Sequence, residues 1–595
     1  MSMIVDRRDL DFILFDLLGM EDLLRHERFA AFDRDACTQM LDTAQQIAED
    51  HFLPIAAEVD ANEPRFVGGR VEMPEGTGHA LRACAEAGFF ALPFAQEHGG
   101  LQAPRVLHTA ASGIFTCANT AVANYAFLTV GAANLLAAFG SEPLRRRFLP
   151  PMLEGRWFGT MCLSEPQAGS SLADITTTAT PRADGTFSLR GSKMWISGGD
   201  QEISENIVHM VLARIAGAPA GTRGISLFLV PKRRVDESGA VGESNNIALA
   251  GLNHKMGQRG TTNCLLNFGE SGETIGHLIG APHRGLEYMF QMMNEARIGV
   301  GLAAAMLGMA GFEASLAYAR QRPQGRPVGP AGKDPSLPPV AIIEHADVKR
   351  MLLAQKAYAE GALALELYCA RLVDEHRTGA EASARDAGLL LDVLTPIAKS
   401  WPSEWCLEAN SLAIQVLGGY GYTRDFPVEQ YWRDNRLNMI HEGTHGIQAL
   451  DLLGRKVVMQ GGAGLDLLAA RVRATTTGAE ALPALQAWAA ALNVALQHLL
   501  VATRAAWEGD NPAATLANAT PYMQAFGHVV LGWIWLDVAL VAQAHLQRTN
   551  SPDFHHGKLQ ACRYFFAYEL PKIQAWLQVA AQRDPTCREM RDAWF

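Results

Sequence analysis

Apolar and polar residues along the chain follow two periods in turn. Across residues 36–158, runs such as LDTAQQIAEDHFLPIAAEVD and HALRACAEAGFFAL, then an Ala-rich stretch reaching Phe139, place apolar side chains three and four apart. That spacing predicts helices packed on one face; Gly99, Gly100 and Pro104 punctuate them. At Gly159 the pattern changes to short β-branched or aromatic runs, NIVHMVLARI, GISLFLVP and NCLLNF, bounded by Gly, Pro, Asn and Lys, which predicts strands. The helical period returns over 286–319 and breaks in RQRPQGRPVGPAGKDPSLPPV. That Pro/Gly-rich insertion reads as a surface loop rather than a functional lid. The period resumes over 345–417. Beyond Lys456, GGAGL reads as a hinge, and residues 467–595 alternate Ala/Leu-rich runs with the turn signals GDNP and NSPD.

The expected fold is therefore mostly α with a central β-domain. Its parts are a leader (1–35), an N-terminal α-helical domain (36–158), a middle β-domain (159–280), a helical bundle (281–456) and a C-terminal α-helical extension (467–595). The leader run DFILFDLLGMEDLL is amphipathic, carries no evident chemistry, and is expected on the outside of the main body.

Composition narrows the function classes. At 595 residues the chain exceeds one ordinary domain, and 48% apolar against 19% charged residues excludes a disordered chain. A net charge of −11 disfavours nucleic acid or an anionic membrane as electrostatic partner. Nine Cys without C-x-x-C or paired spacing read as reduced thiols in a cytoplasmic compartment. Neither His nor Cys shows metal spacing, so no metal is expected. The run 529–546 is apolar enough for a membrane, but Asp537 near its middle would cost ~2.5–3.5 kcal/mol at a bilayer centre. A buried bundle helix, with no membrane span, is the expectation. MSMIVDRRDLDF does not read as a signal peptide.

Candidate chemistry centres on residues 436–456, RLNMIHEGTHGIQALDLLGRK. Ile447, Leu450, Leu453 and Val457 recur at helical spacing after Thr444, so Glu442 sits where a loop becomes a helix. Gly443 leaves room beside its carboxylate for a flat ligand. With the preceding LAIQVLGGYGYTRDFPVEQYWRD, and with MCLSEPQAGSSLAD (161–174), KMWISGG (193–199), KMGQRGT (255–261) and MMNEARIGVG (292–301), the chain resembles the acyl-CoA dehydrogenase family. The blocks keep the family's order and spacing across residues 36–456. The leader and extension resemble its long bacterial form, which includes long-chain and 3-(methylthio)propanoyl-CoA dehydrogenases.

The resemblance implies a helical domain, a β-barrel and a helical bundle, FAD as cofactor, and oxidation of an acyl-CoA to the trans-2-enoyl-CoA. It implies Glu442 as the base taking the α-proton, while flavin N5 takes the β-hydride. The family's second place for a base falls on Ala296, ahead of Arg297; Glu295 is one position off, turned away by about 100° on a helix. Met161, Leu163, Ser164, Gly169 and Ser170 match the flavin-edge loop, and Trp195 and Ser197 the residues at the flavin face and near N5. Arg322, Gln324, Gln415, Gly418 and Gly419 fall where the family contacts the ADP half of a neighbouring subunit's FAD, and Thr444 and Gly446 lie near the flavin. Ser170, Asn294, Arg297 and Gly443 are implied at the substrate. A helix over 121–139 would wall the acyl channel. Cross-subunit contacts and the extension imply a homodimer, and electron-transfer flavoprotein is the implied acceptor.

Departures from the family pattern are His441 where Tyr is usual, Gly446 for a common Gln and Ser171 for a common Asp. GVGLAA (299–304) imitates a dinucleotide fingerprint without a preceding strand, and GPAGKD (329–334) lacks the spacing of a phosphate-binding loop. Rival readings are an acyl-CoA oxidase and a flavin-bearing binding protein of the same superfamily; the extension lacks the basic character the second would need.

Overall fold

The computed structural model describes residues 4–595 apart from 331, 510, 547, 549 and 550, with only the backbone described at 291–294. It divides into two compact units: Glu27–Ala296, and Arg297–Phe595 together with the leader up to His26.

The first unit opens with helices α1 (Arg34–Ile47), α2 (Thr77–Glu86), α3 (Arg105–Phe139) and α4 (Glu142–Leu153). The Ala-rich stretch is the second half of α3, whose first half ends in a kink at Asn119 (φ −163°, ψ 91°). There the side chain takes over backbone bonding, accepting from the Val122 N–H at 3.2 Å and donating to the Phe52 carbonyl at 3.3 Å. Among the described residues the eight strands of the main sheet follow: β1 (Trp157–Cys162), β2 (Thr178–Pro181), β3 (Phe187–Ser197), β4 (Asn206–Ile215), β5 (Ile225–Pro231), β6 (Ile247–Leu252), β7 (Asn263–Phe268) and β8 (Thr274–Ile279). They form one sheet in the order β6-β7-β3-β8-β5-β4-β1, with β2 paired to both β3 and β4. In β4 the first eight residues, Asn206 to Ala213, are all buried, so apart from Asn206 and His209 it reads as an apolar run and not an alternation. One face of the sheet packs Trp157, Met210 and Leu227 against Leu136 and Met152 of α3 and α4; the other gathers Cys162, Val211, Phe228 and Phe268. Gly159 permits the approach of α3, since a Cβ there would lie 2.5 Å from that of Ala132.

In the second unit α5 (Gly285–Gln321, from Arg297 onward) meets α6 (Ala346–Thr378) and α7 (Glu381–Leu417). The uninterrupted helical period over 345–417 is in fact two helices, parted at Gly379–Ala380. A Cβ at Gly379 would press on the Glu375 carbonyl at 2.7 Å. The insertion after α5 is exposed, and its base is closed by a short ladder of backbone bonds: Ile342 N–H to Arg322 O at 2.9 Å, Gln324 N–H to Val340 O at 2.9 Å and Val340 N–H to Gly325 O at 3.1 Å. Then come α8 (Val428–Arg436), α9 (His445–Asp451) and the extension helices α10 (Ala463–Glu480), α11 (Gln486–Ala506), α12 (Ala519–Leu546), α13 (Asp553–Tyr564) and α14 (Ile573–Ala581). The extension is bolted to the bundle by indole donors: Trp535 Nε1 bonds the Ala357 carbonyl at 3.0 Å and Trp401 Nε1 bonds His528 Nδ1 at 3.2 Å.

The leader is not on the outside. Leu10, Phe12, Ile13 and Leu14 are buried, and Asp9 forms a buried ion pair with Lys558, which also reaches Glu360 at 2.8 Å. Its amphipathic pattern cannot distinguish one covered face from a segment wedged between two helical layers.

Among the described residues, three helices are long and apolar enough to cross a membrane, α12 among them; 83% of its most apolar window is buried in the structure. Asp537 on α12 accepts from Thr475 Oγ1 at 2.8 Å, and burial pushes its carboxyl up to about 6. A carboxyl raised in the folded state favours folding while protonated, and that contribution fades as pH rises toward about 6. Asp537→Asn keeps the acceptor without the charge. We expect its thermal midpoint to exceed the wild type's at pH 7 and the advantage to shrink by pH 5. Melting curves at the two pH values check this.

Candidate active site

Glu442 lies in the turn before α9, in the second unit. Its φ is +53° and that of Gly443 is +89°. A left-handed non-glycine residue costs about 1–3 kcal/mol and persists only where its surroundings hold it. The turn ends at Thr444, which caps α9 by accepting from the Ile447 N–H at 3.5 Å. Of the periodic apolar residues, Leu453 and Val457 are buried, whereas Ile447 and Leu450 are exposed and Gln448 and Ala449 turn inward. Gln448 Nε2 donates to the Glu442 carbonyl at 3.1 Å.

Around this turn the electrostatics favour a reactive carboxylate. Burial pushes the Glu442 carboxyl above its ordinary range, opposed by the cations Lys399 and Arg297. Lys399, on α7, is fully buried with no hydrogen-bond partner for Nζ. Burial lowers its pKa to about 7, with Glu442 opposing and Arg297 adding to the fall. Arg297 is buried and donates to Asp451 on α9 at 3.0 Å, so it forms an inter-helix ion pair as well as being a charged neighbour of Glu442. Glu295, in the first unit, is engaged by Arg105 and by Asn134 Nδ2 at 3.1 Å. His441 bonds Asn438 at 3.1 Å, which leads to Asn435 at 3.0 Å and on to Asn410 at 2.7 Å, a buried amide chain reaching the Leu307 carbonyl at 2.7 Å.

The segment that the resemblance sets at the flavin edge belongs to the first unit. Met161 is the penultimate residue of β1, Leu163 and Ser164 beyond the strand are half-buried, and Gly169 and Ser170 are exposed. The Met194 N–H bonds the Ser164 carbonyl at 3.0 Å, tying this loop to β3. Between Lys193 and Ile196 the β3–β7 register slips, and the bulge turns Trp195 to φ +66° and leaves it 59% exposed. Ser197 Oγ accepts from Asn263 Nδ2 at 3.3 Å. Beneath the loop Glu165 is buried and accepts from the N–H and hydroxyl of both Thr176 and Thr177, at 2.6–3.0 Å, and from Lys193 Nζ at 2.9 Å.

Back in the second unit, Arg322 stacks its guanidinium 5.6 Å from the Tyr420 ring centroid, beside Gly418 and Gly419. Gln415 and Gln324 are exposed, and Gln324 gives its carbonyl to His345 at 2.7 Å. Thr444 and Gly446 are exposed too. Asn294 lies outside the residues whose side chains are described.

Taken unit by unit, these groups suit contact with parts of a flavin dinucleotide. A Cβ on Gly169, Gly418, Gly419 or Gly446 would meet nothing within 4 Å, so backbone is open to a ligand at each place. An exposed indole offers a stacking face, and the Arg322 fork suits phosphate. Sequence reasoning passed over Glu165, Lys193 and Gln448, although each stands inside a block it used, and over Lys399 and the Asn chain. A lysine flanked by apolar residues in TPIAKSW was the available signal for Lys399.

The chain belongs to the acyl-CoA dehydrogenase family. It matches the N-terminal domain (residues 34–156), the middle domain (160–270) and the C-terminal domain (283–457) of acyl-CoA dehydrogenase, and "Acetyl-CoA dehydrogenase C-terminal like" over 468–591. It is 34% identical to 3-methylmercaptopropionyl-CoA dehydrogenase of Ruegeria pomeroyi, covering 96% of each chain. It is 32% identical to the broad-specificity linear acyl-CoA dehydrogenase FadE5 of Mycobacterium tuberculosis, covering 99% of each. Among solved structures, an acyl-CoA dehydrogenase from Bacillus anthracis complexed with FAD shares the fold at TM-score 0.74 and 20% identity, covering 94% of this chain and 90% of that one. ACDH-11 of Caenorhabditis elegans with C11-CoA shares it at TM-score 0.72 and 20% identity, covering 99% and 93%. The enzyme is an acyl-CoA dehydrogenase and its cofactor is FAD.

Proposed function

We propose that the chain oxidises a fatty acyl-CoA thioester to the trans-2-enoyl-CoA, with Glu442 as the base. The observation that carries this reading is the Glu442 turn: a left-handed carboxylate, raised by burial, faced by two buried cations and followed by a glycine. Glu442 takes the α-proton, the electrons of that C–H bond pass into the thioester enolate, and the β-hydrogen leaves with its electron pair. Bound FAD supplies the acceptor for that hydride. Burial makes Glu442 a stronger base than a solvated carboxylate, while Lys399 and Arg297 keep its ionised form accessible. The Glu442 N–H polarises the thioester carbonyl; Ser170, Asn294, Arg297 and Gly443 line the substrate.

Met161, Leu163, Ser164, Gly169, Ser170, Trp195, Ser197, Thr444 and Gly446 would hold the flavin half of the cofactor. Arg322, Gln324, Gln415, Gly418 and Gly419 would hold the ADP half of a partner subunit's cofactor. Contacts of that kind would make the enzyme a homodimer. Electron-transfer flavoprotein is the proposed acceptor, in keeping with relatives named dehydrogenases and not oxidases. Burial of eight of the nine cysteines accords with a cytoplasmic setting. Mixed without oxygen with a panel of linear acyl-CoAs, including 3-(methylthio)propanoyl-CoA, the yellow protein should lose its flavin absorbance within one turnover for at least one of them. No bleaching by any thioester would refute the reading, and peroxide formed in air would reassign it to an oxidase.

A further inference from the structure

Glu442 and Gly443 are consecutive left-handed residues, a conformation that an exposed glutamate would leave. One side chain from α9 reaches back across the turn. Gln448 is fully buried, and its Nε2 donates to the Glu442 carbonyl at 3.1 Å. Only the amide's NH₂ end can face a carbonyl, so the orientation is fixed, and its Oε1 is left buried without a partner. The amide occupies the space that Gly443 vacates: a Cβ on Gly443 would come within 2.5 Å of Nε2. The two residues form one device, a glycine that opens a slot and a buried amide that fills it and clamps the residue before.

We propose that Gln448 is a positioning residue for proton abstraction, holding Glu442 in its left-handed turn so that the carboxylate meets the substrate α-carbon. This deepens the reading of Glu442 as base and rests on it. Gln448 touches neither substrate nor proton; it fixes the backbone from which the base projects. A small misplacement of a reacting group can cost up to about a hundredfold in rate.

The test uses full-length holoenzyme and 3,3-dimethylbutanoyl-CoA, which has α-hydrogens and no β-hydrogen to transfer. Exchange of its α-protons into D₂O, followed by NMR, reports the base without flavin reduction. Gln448→Leu should slow exchange by about tenfold or more, leaving ligand affinity, FAD content and the thermal midpoint near wild type. Gly443→Ala, which fills the slot, should lose a similar factor, and the double variant no more than either alone, because both break one contact. A crystal structure of Gln448→Leu should show Glu442 away from positive φ. Should Gln448→Leu lose FAD or stability, the Gly443→Ala exchange rate and the Glu442 backbone in its crystal structure decide. Wild-type exchange in these variants, with exchange abolished in Glu442→Gln, overturns the clamp alone. Normal exchange in Glu442→Gln overturns the base assignment beneath it.

Discussion

Glu442→Gln should bind FAD and acyl-CoA as wild type does, and reduce flavin at least about a hundredfold more slowly in an anaerobic single turnover. The amide preserves volume and the backbone N–H but accepts no proton, and a positioned general base is worth about two to four orders of magnitude. The wild-type rate should also depend on pH in a defined direction. The base works ionised, and burial holds its carboxyl above the ordinary range. Bleaching should therefore slow as pH falls, with a midpoint above that of a solvated glutamate. Lys399→Met removes a buried cation that opposes this shift, so the midpoint should move further up and the rate at neutral pH should drop. Glu295→Gln should leave bleaching close to wild type, because Arg105 and Asn134 already engage that carboxylate. A Glu442→Gln enzyme that bleaches normally, or an equal loss in Glu295→Gln, would place the base elsewhere.

The element classes were legible because periodicity reports which faces are covered. The strand run NIVHMVLARI and the helical runs around it appear where their patterns put them. What the pattern concealed were breaks that keep the period, such as Gly379–Ala380 between α6 and α7 and the kink at Asn119. The leader was misplaced for a related reason: DFILFDLLG shows that a face is covered, not how many neighbours cover it. At the site, motif resemblance supplied candidate ligand contacts; a Cβ on Gly169, Gly418, Gly419 or Gly446 would meet nothing within 4 Å, whereas one on Gly443 would meet Gln448. The supporting groups were not legible. Gln448, Lys399 and the chain Asn410–Asn435–Asn438 act through buried contacts between elements distant in sequence. A buried lysine or asparagine looks, in sequence, like a surface one. Ile447 and Leu450 misled in the opposite sense: their helical spacing suggested an inward face, and the helix turns that face out to bring Gln448 in.

Lys193→Met should be the most damaging substitution to stability in the sheet unit, and should take FAD with it. Lys193 and Glu165 have side chains 0% and 1% exposed and meet at 2.9 Å. The lysine also donates to the Leu163 carbonyl at 2.9 Å, so a single ammonium fastens the flavin-edge loop to β3. The ammonium and four threonine donors hold the Glu165 carboxyl down at about 2. Burial at the same time pushes the Lys193 ammonium below its ordinary value, so the two halves of the pair act on folding in opposite senses. Removing one member of a buried pair typically costs about 3–5 kcal/mol, because the other charge stays behind unpaired. The pH dependence follows from the sign of the shift. A depressed carboxyl contributes fully above its unfolded value near 4.5 and loses that contribution as pH falls toward about 2. Glu165→Gln should therefore be most destabilising at neutral pH, with the gap to wild type closing in acid. Denaturant titration of the holoenzyme at pH 7 and pH 4, with FAD release read by fluorescence, measures both effects. The double variant Lys193→Met, Glu165→Gln should be less destabilised than the sum of the singles, since it leaves no buried charge behind. If Lys193→Met melts like wild type yet sheds FAD, the lysine acts on the loop alone and the buried pair contributes nothing net to folding.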